Sequence, residues 1–152
     1  MCGDVDILIT RSDNTPITGT LEKLVVYLEK QNFLKERLSL SGKSSDKARE
    51  MYMGVCKVQG ANALARRIDI KVYPKESFGF ALLYFTGSDY FNRSMRLFAV
   101  KKGFTLSDHG LAPVSRAGGS KVSKGIGVPC QTEEEVFKAL GLPYKTPAER
   151  DL

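Results

Sequence analysis

Two acids, Asp4 and Asp6, stand at the front of an apolar run in which Val5, Ile7 and Ile9 fall at every second position. A period of two is the pattern of a strand with one buried face, so the three branched residues enter a core together. Asp4 and Asp6 then share the opposite face. After a turn over residues 12–16, Leu21, Leu24, Val25 and Leu28 recur at helical spacing. They predict an amphipathic helix over 18–31, with Thr18 or Thr20 as its cap and its stripe laid over the opening strand. Residues 39–50 are polar and basic and read as a mobile connection. Strands are predicted over 52–58 and 66–73, separated by a turn at 59–62. In the second of these, Ile68, Ile70 and Val72 point inward, while Arg67, Asp69, Lys71 and Tyr73 share the other face.

Residues 74–77 read as a joint between subdomains. Residues 78–85 are almost wholly apolar, which fits a buried strand or a short helix. A helix follows over 89–102, capped by Ser88 and stopped by Gly103, with Phe91, Met95, Phe98 and Ala99 as its buried stripe. Asp89, Asn92 and Arg96 form a polar line on a neighbouring face. Short strands are expected at 104–107 and 111–114, then a flexible basic loop over 115–127. Thr132 through Glu135 read as a capping box that opens a last helix, stopped by Gly141 and Pro143. No internal repeat or heptad run is present.

Composition narrows the class without naming a function. The chain of 152 residues can build one medium domain or two small subdomains. No apolar run approaches the roughly 20 residues of a membrane span, and no signal-peptide pattern opens the sequence, so no membrane partner is expected. Three widely spaced cysteines, Cys2, Cys56 and Cys130, form neither a disulfide framework nor a zinc motif. An intracellular setting is therefore expected. One histidine, His109, speaks against His-rich metal sites and a Ser-His-Asp triad. The net charge of +6 suits an anionic partner such as nucleic acid but does not require one.

Candidate chemistry begins with the acids. Two carboxylates on one strand face repel unless a cation lies between them, and their hard oxygens suit Mg²⁺. A lone Asp-x-Asp is nonetheless more often a solvated strand end. Asp69 on its own reads as a member of a cross-strand ion pair. Asn92 and Arg96 are the side-chain types that bond base edges and phosphates, though most such helix faces are simply solvated.

Taken together and in order, four segments change that balance: Gly3-Asp4-Val5-Asp6, Arg67-Ile68-Asp69, Tyr84-Phe85-Thr86-Gly87-Ser88 and Phe91-Asn92-Arg93-Ser94-Met95-Arg96. The chain resembles the catalytic C-terminal part of the family X DNA polymerases, which share the polymerase-beta-like nucleotidyltransferase fold, and the likeness runs over essentially its whole length. The resemblance implies an α+β architecture. A partial palm, a mixed β-sheet with covering helices, would occupy residues 1–76. A small α/β thumb-type subdomain for nucleotide selection would occupy 77–152. The implied enzyme is a DNA-directed DNA polymerase of the repair type, filling gaps as in base excision repair. It would join a dNTP to a primer 3′-hydroxyl on gapped or primer-template DNA, as a nuclear monomer.

The implied chemistry needs two Mg²⁺ ions, with Mn²⁺ as a substitute, about 3.5–4 Å apart so that they stabilise the attacking and leaving oxygens. Asp4 and Asp6 would bridge the ions and Asp69 would hold the one that activates the primer, with Arg67 orienting Asp69 and lowering its pKa. By resemblance, Gly3, Tyr84, Phe85, Thr86, Gly87 and Asn92 bind the nucleotide, Tyr84 crowding the sugar and Asn92 reaching the minor-groove edge of the base. For Phe85, core packing is the competing role. Arg96 would contact the template strand with Arg93 nearby. The Tyr84-Phe85 pair is the form found in template-dependent members, whereas terminal transferase has Gly-Trp there. The family's Gly-Ser turn and arginine for the β- and γ-phosphates do not precede Cys2, nor do its lyase and helix-hairpin-helix modules. The competing expectation is therefore a non-catalytic DNA-binding fragment. Transfer to another acceptor such as RNA is a third possibility.

Overall fold

The computed structural model describes residues 3–13, 15–41, 50–60, 62–117 and 120–151, with residues 116, 117 and 120–124 described by backbone alone. Two units divide the chain, Met1–Pro74 and Lys75–Leu152.

The first unit is a four-stranded mixed sheet with one covering helix. Its elements are β1 (Asp4–Ile9), α1 (Thr20–Lys30), β2 (Leu34–Ser41), β3 (Glu50–Cys56) and β4 (Arg66–Val72). The strand order is β1-β4-β3-β2, with β1 parallel to β4 and the other pairs antiparallel. Register sets Val5, Ile7 and Ile9 beside Ile68, Ile70 and Val72. These residues meet Leu21 and Val25 of α1, together with Tyr52 and Cys56, in one apolar cluster. The alternation read from the sequence is thus the core face of the sheet. The start of β3 explains the helix cap. Gly19, with φ of 79°, holds the N-cap position, and neither threonine contributes a side-chain cap. The carboxylate of Glu50, buried on β3, accepts from the amides of Gly19 (2.5 Å) and Leu21 (2.9 Å). A residue distant in sequence does the work expected of a local hydroxyl.

β2 corrects the expected connection over 39–50. Residues 39–41 end this strand, Glu50 begins β3, and residues 42–49 lie outside the described residues. Two register shifts, at Leu34/Glu36 and Arg37/Ser39, interrupt its pairing, and Leu38 is exposed. An edge strand with bulges does not keep one face inward, which hides its period from the sequence.

The second unit packs helices on a three-stranded antiparallel sheet. A 3₁₀ turn (Lys75–Ser77) leads into α2 (Phe78–Thr86) and α3 (Asp89–Lys101). Next come β5 (Phe104–Ser107), β6 (Gly110–Ala117), β7 (Ser120–Lys124), α4 (Glu133–Leu140) and a 3₁₀ turn (Pro147–Arg150). Phe80, Leu83, Met95, Ala99, Leu111, Val136, Phe137 and Leu140 are in its core. The apolar run 78–85 is a helix. Phe80, Ala81 and Leu83 are buried while Leu82 and Tyr84 stay over one-third exposed, a rotation that a strand would not give. Gly79 permits the crossing with α4's cap, because a Cβ there would lie 2.4 Å from the Thr132 carbonyl oxygen. The expected loop over 115–127 is instead largely the β6–β7 hairpin, whose polar, Gly-flanked strands carry little apolar alternation. Thr132 caps α4 as read, its hydroxyl accepting from Glu135 N, while Glu135 reaches back to the amide of Gln131.

Candidate active site

In the first unit, parallel pairing aligns the chemistry. Asp4 stands opposite Arg67, Asp6 opposite Asp69 and Leu8 opposite Lys71. On the other side of β4, Val55, Met53 and Met51 occupy the matching positions of β3. The charged groups therefore sit beside an apolar strip, where fewer water molecules compete for them.

The side chains form a chain of alternating charge. Arg67 Nη2 donates to Asp69 Oδ1 at 3.0 Å and to Oδ2 at 3.3 Å, and Arg67 Nε lies 4.0 Å from Asp4. Lys71 Nζ donates to Asp6 Oδ1 at 2.6 Å and reaches Asp69 Oδ2 at 3.5 Å. The bond to Asp69, then that carboxylate's charge, raises the pKa of Arg67; Asp4 and Asp6 add smaller pulls in the same direction. The Asp4 and Asp6 side chains are 63% and 49% exposed, whereas that of Asp69 is 16% exposed and that of Lys71 8%. Asp69 is the sheltered acid and Asp4 the outermost.

Three carboxylates on neighbouring strands fit a hard divalent cation by donor type. Among the described residues no group of three or more His, Cys, Asp or Glu side chains stands ready to close on a metal. The cations that balance the acids here are Arg67 and Lys71. Lys71 Nζ occupies Asp6 Oδ1, one of the two oxygens that Asp6 could offer a metal ion. The sequence signal for Lys71 is its two-residue spacing from Asp69. Tyr73, expected on the same polar face, is instead 1% exposed.

In the second unit, Tyr84, Asn92 and Arg96 line one shallow groove with Phe80, Leu83, Leu106 and Ser107. The Asn92 side-chain amide donates to the Tyr84 carbonyl at 2.7 Å, tying α3 to the last turn of α2. Arg96 Nε donates to the Asn92 carbonyl at 3.3 Å, and its guanidinium lies 5.5 Å from the centre of the Tyr84 ring. Phe85 meets Tyr84 edge to face at 5.0 Å. Thr86 is exposed, and Gly87, with φ of 74°, closes α2 ahead of a cis peptide to Ser88. Arg93 points away into solvent, paired with Asp89 at 2.5 Å. Gly3 is exposed, with open space where a side chain would project. Leu106 and Ser107 were not among the expected site residues, because a short strand gives no sign of which helix it will adjoin.

A mixed sheet bearing acids on adjacent parallel strands, and a second unit with an Asn-Arg helix beside a Tyr-Phe-Thr-Gly turn, define a palm and thumb of the nucleotidyltransferase type. Family models agree: the DNA polymerase beta palm matches residues 1–75 and the DNA polymerase beta thumb matches residues 81–151. The chain belongs to the polymerase-beta-like DNA polymerase family. It is 47% identical to DNA polymerase lambda of Rattus norvegicus and 40% identical to DNA polymerase lambda of Arabidopsis thaliana, over 99% of its own length in each case. It spans 26% and 29% of those two proteins.

Proposed function

We propose that this chain performs template-directed transfer of a deoxynucleotide to a primer 3′-hydroxyl, as the palm and thumb of a gap-filling DNA polymerase working on nuclear DNA. The observation that carries this reading is the parallel register of Asp6 with Asp69, two strand positions beyond the pairing of Asp4 and Arg67 and so on the same polar face. Asp4, Asp6 and Asp69 would hold two Mg²⁺ ions, or Mn²⁺ in their place. When bound, such ions neutralise charge on the attacking and leaving oxygens of an in-line displacement.

Asp69 is the natural acceptor for the primer hydroxyl proton, being the sheltered carboxylate. Arg67 holds both of its oxygens and so fixes the direction in which it faces. In the second unit, the Tyr84 ring limits the space at the sugar, and Phe85, Thr86 and Gly87 complete that wall. Asn92 spends one amide proton on the Tyr84 carbonyl and keeps its second for the minor-groove edge of the incoming base. Arg96 serves the template strand and Arg93 the nearby phosphates. Gly3 leaves room for the nucleotide's approach to the acids.

The test is incorporation of one dNTP into a single-nucleotide gap with Mg²⁺, comparing the unsubstituted chain with Asp69→Ala. Loss of a group acting on the reacting atoms should slow incorporation by roughly 10²–10³-fold or more. Undiminished incorporation by the variant, or none by the unsubstituted chain, would contradict the proposal.

A further inference from the structure

The largest fully buried side chain among the described residues belongs to neither set of proposed site residues. Arg150, in the last 3₁₀ turn, is 0% exposed. Its guanidinium donates to both carboxylate oxygens of Glu133, at 2.6 and 3.1 Å, and its Nε donates to the Lys145 carbonyl at 2.8 Å. The rings of Phe91, Phe137 and Tyr144 surround it, with centres 5.2–5.5 Å from its central carbon. A buried, stacked cation held by these three hydrogen bonds fixes its own backbone closely. The turn is closed from its other end as well, since Glu149 accepts from the amide and hydroxyl of Thr146, both at 2.7 Å.

What that fixed backbone offers is a carbonyl. Ser88 Oγ donates to the Arg150 carbonyl oxygen at 2.9 Å. The same hydroxyl accepts from Phe91 N at 3.3 Å and so caps α3. Ser88 follows Gly87 directly, and α3 carries Asn92, whose amide holds the Tyr84 carbonyl. One hydroxyl therefore joins the C-terminal turn, the Tyr84–Gly87 segment and the first turn of α3.

We propose that the Pro147–Arg150 turn is a positioning element for the nucleotide-selecting segment, acting through the Ser88 hydroxyl on the Arg150 carbonyl. Arg150 and Ser88 are positioning residues; neither touches substrate. The inference rests on the reading of Tyr84 and Asn92 as nucleotide-selecting residues, and its test separates the two.

Removing Arg150 would strand the buried Glu133 carboxylate and unfold the unit, so the informative variants are at Ser88. Ser88→Asp keeps an N-cap acceptor for Phe91 N but, ionised, has no proton for the Arg150 carbonyl. Ser88→Thr keeps both functions. Two measurements are made on the full chain: amide hydrogen exchange over residues 80–96, and the ratio of dATP to ATP affinity on gapped DNA by equilibrium titration. Ser88→Asp should accelerate exchange over 84–88 by about three- to tenfold, the equivalent of one net hydrogen bond. It should lower the dATP/ATP ratio while leaving the melting temperature within a few degrees, and Ser88→Thr should restore both. Exchange unchanged in Ser88→Asp would overturn the tether. Faster exchange with an unchanged affinity ratio would overturn its part in selection. Absence of nucleotide binding by the unsubstituted chain would count against the proposed function, while the exchange data still decide the tether.

Discussion

Lys71 places its ammonium nitrogen 2.6 Å from Asp6 while its side chain is only 8% exposed. A cation so placed lowers the repulsion between Asp6 and Asp69, and it also competes with any metal ion for the same oxygens. Lys71→Met keeps the aliphatic stem and removes that competitor. Mn²⁺ should bind the variant about three- to tenfold more tightly, measured by isothermal titration; unchanged or weaker binding would show that the ammonium does not oppose the metal. Cys130 gives a second prediction at this scale. Burial first, and the Glu135 charge second, push its thiol up to about 11 from 9.0. A raised folded-state pKa contributes stability below the unfolded value and loses it as pH rises through the folded one. The melting temperature should therefore fall as pH rises between about 9 and 11, and Cys130→Ala should remove that part of the decline. Iodoacetamide at pH 8 should modify Cys130 far more slowly in the folded chain than in urea; equal rates would contradict the assignment.

At the scale of elements, the helix α1 depends on a strand residue. Glu50→Ala removes the acceptor for two N-terminal amides and should destabilise the first unit by about 1–3 kcal/mol in urea unfolding; a loss under 0.5 kcal/mol would show that the cap is dispensable. That dependence also shows why parts of the fold were hidden from the sequence. β1, β4, α3 and α4 were legible because each keeps one face in a core, so Val5, Ile7, Ile9 and Ile68, Ile70, Val72 display the period directly. β2 breaks its period at two register shifts, and β7 has only Val122 as an aliphatic residue among its five. The apolar run 78–85 was ambiguous because helix and buried strand bury similar residues, and the packing of Phe80 and Leu83 among Met95, Leu111 and Phe137 resolves it. The acids and the Tyr84–Arg96 segment could be read as short motifs. Lys71's contact with Asp6, and the joining of Ser88 to Arg150, depend on residues 65 and 62 positions apart and are visible only in three dimensions.

Across the molecule, two units each carry part of one proposed chemistry: acids on parallel strands in the first, and a nucleotide-selecting helix and turn in the second. Family membership rests on matches to both units, and the proposed activity adds a specific claim about the acids. That claim can be tested without turnover. In a Mn²⁺ titration of the isotope-labelled chain, paramagnetic broadening should appear first at the backbone resonances of Asp4, Asp6 and Asp69, disappear on chelation, and be strongly reduced by Asp69→Asn. Broadening that leaves these three residues untouched, or that persists unchanged in Asp69→Asn, would contradict the assignment of Asp4, Asp6 and Asp69 as the metal centre.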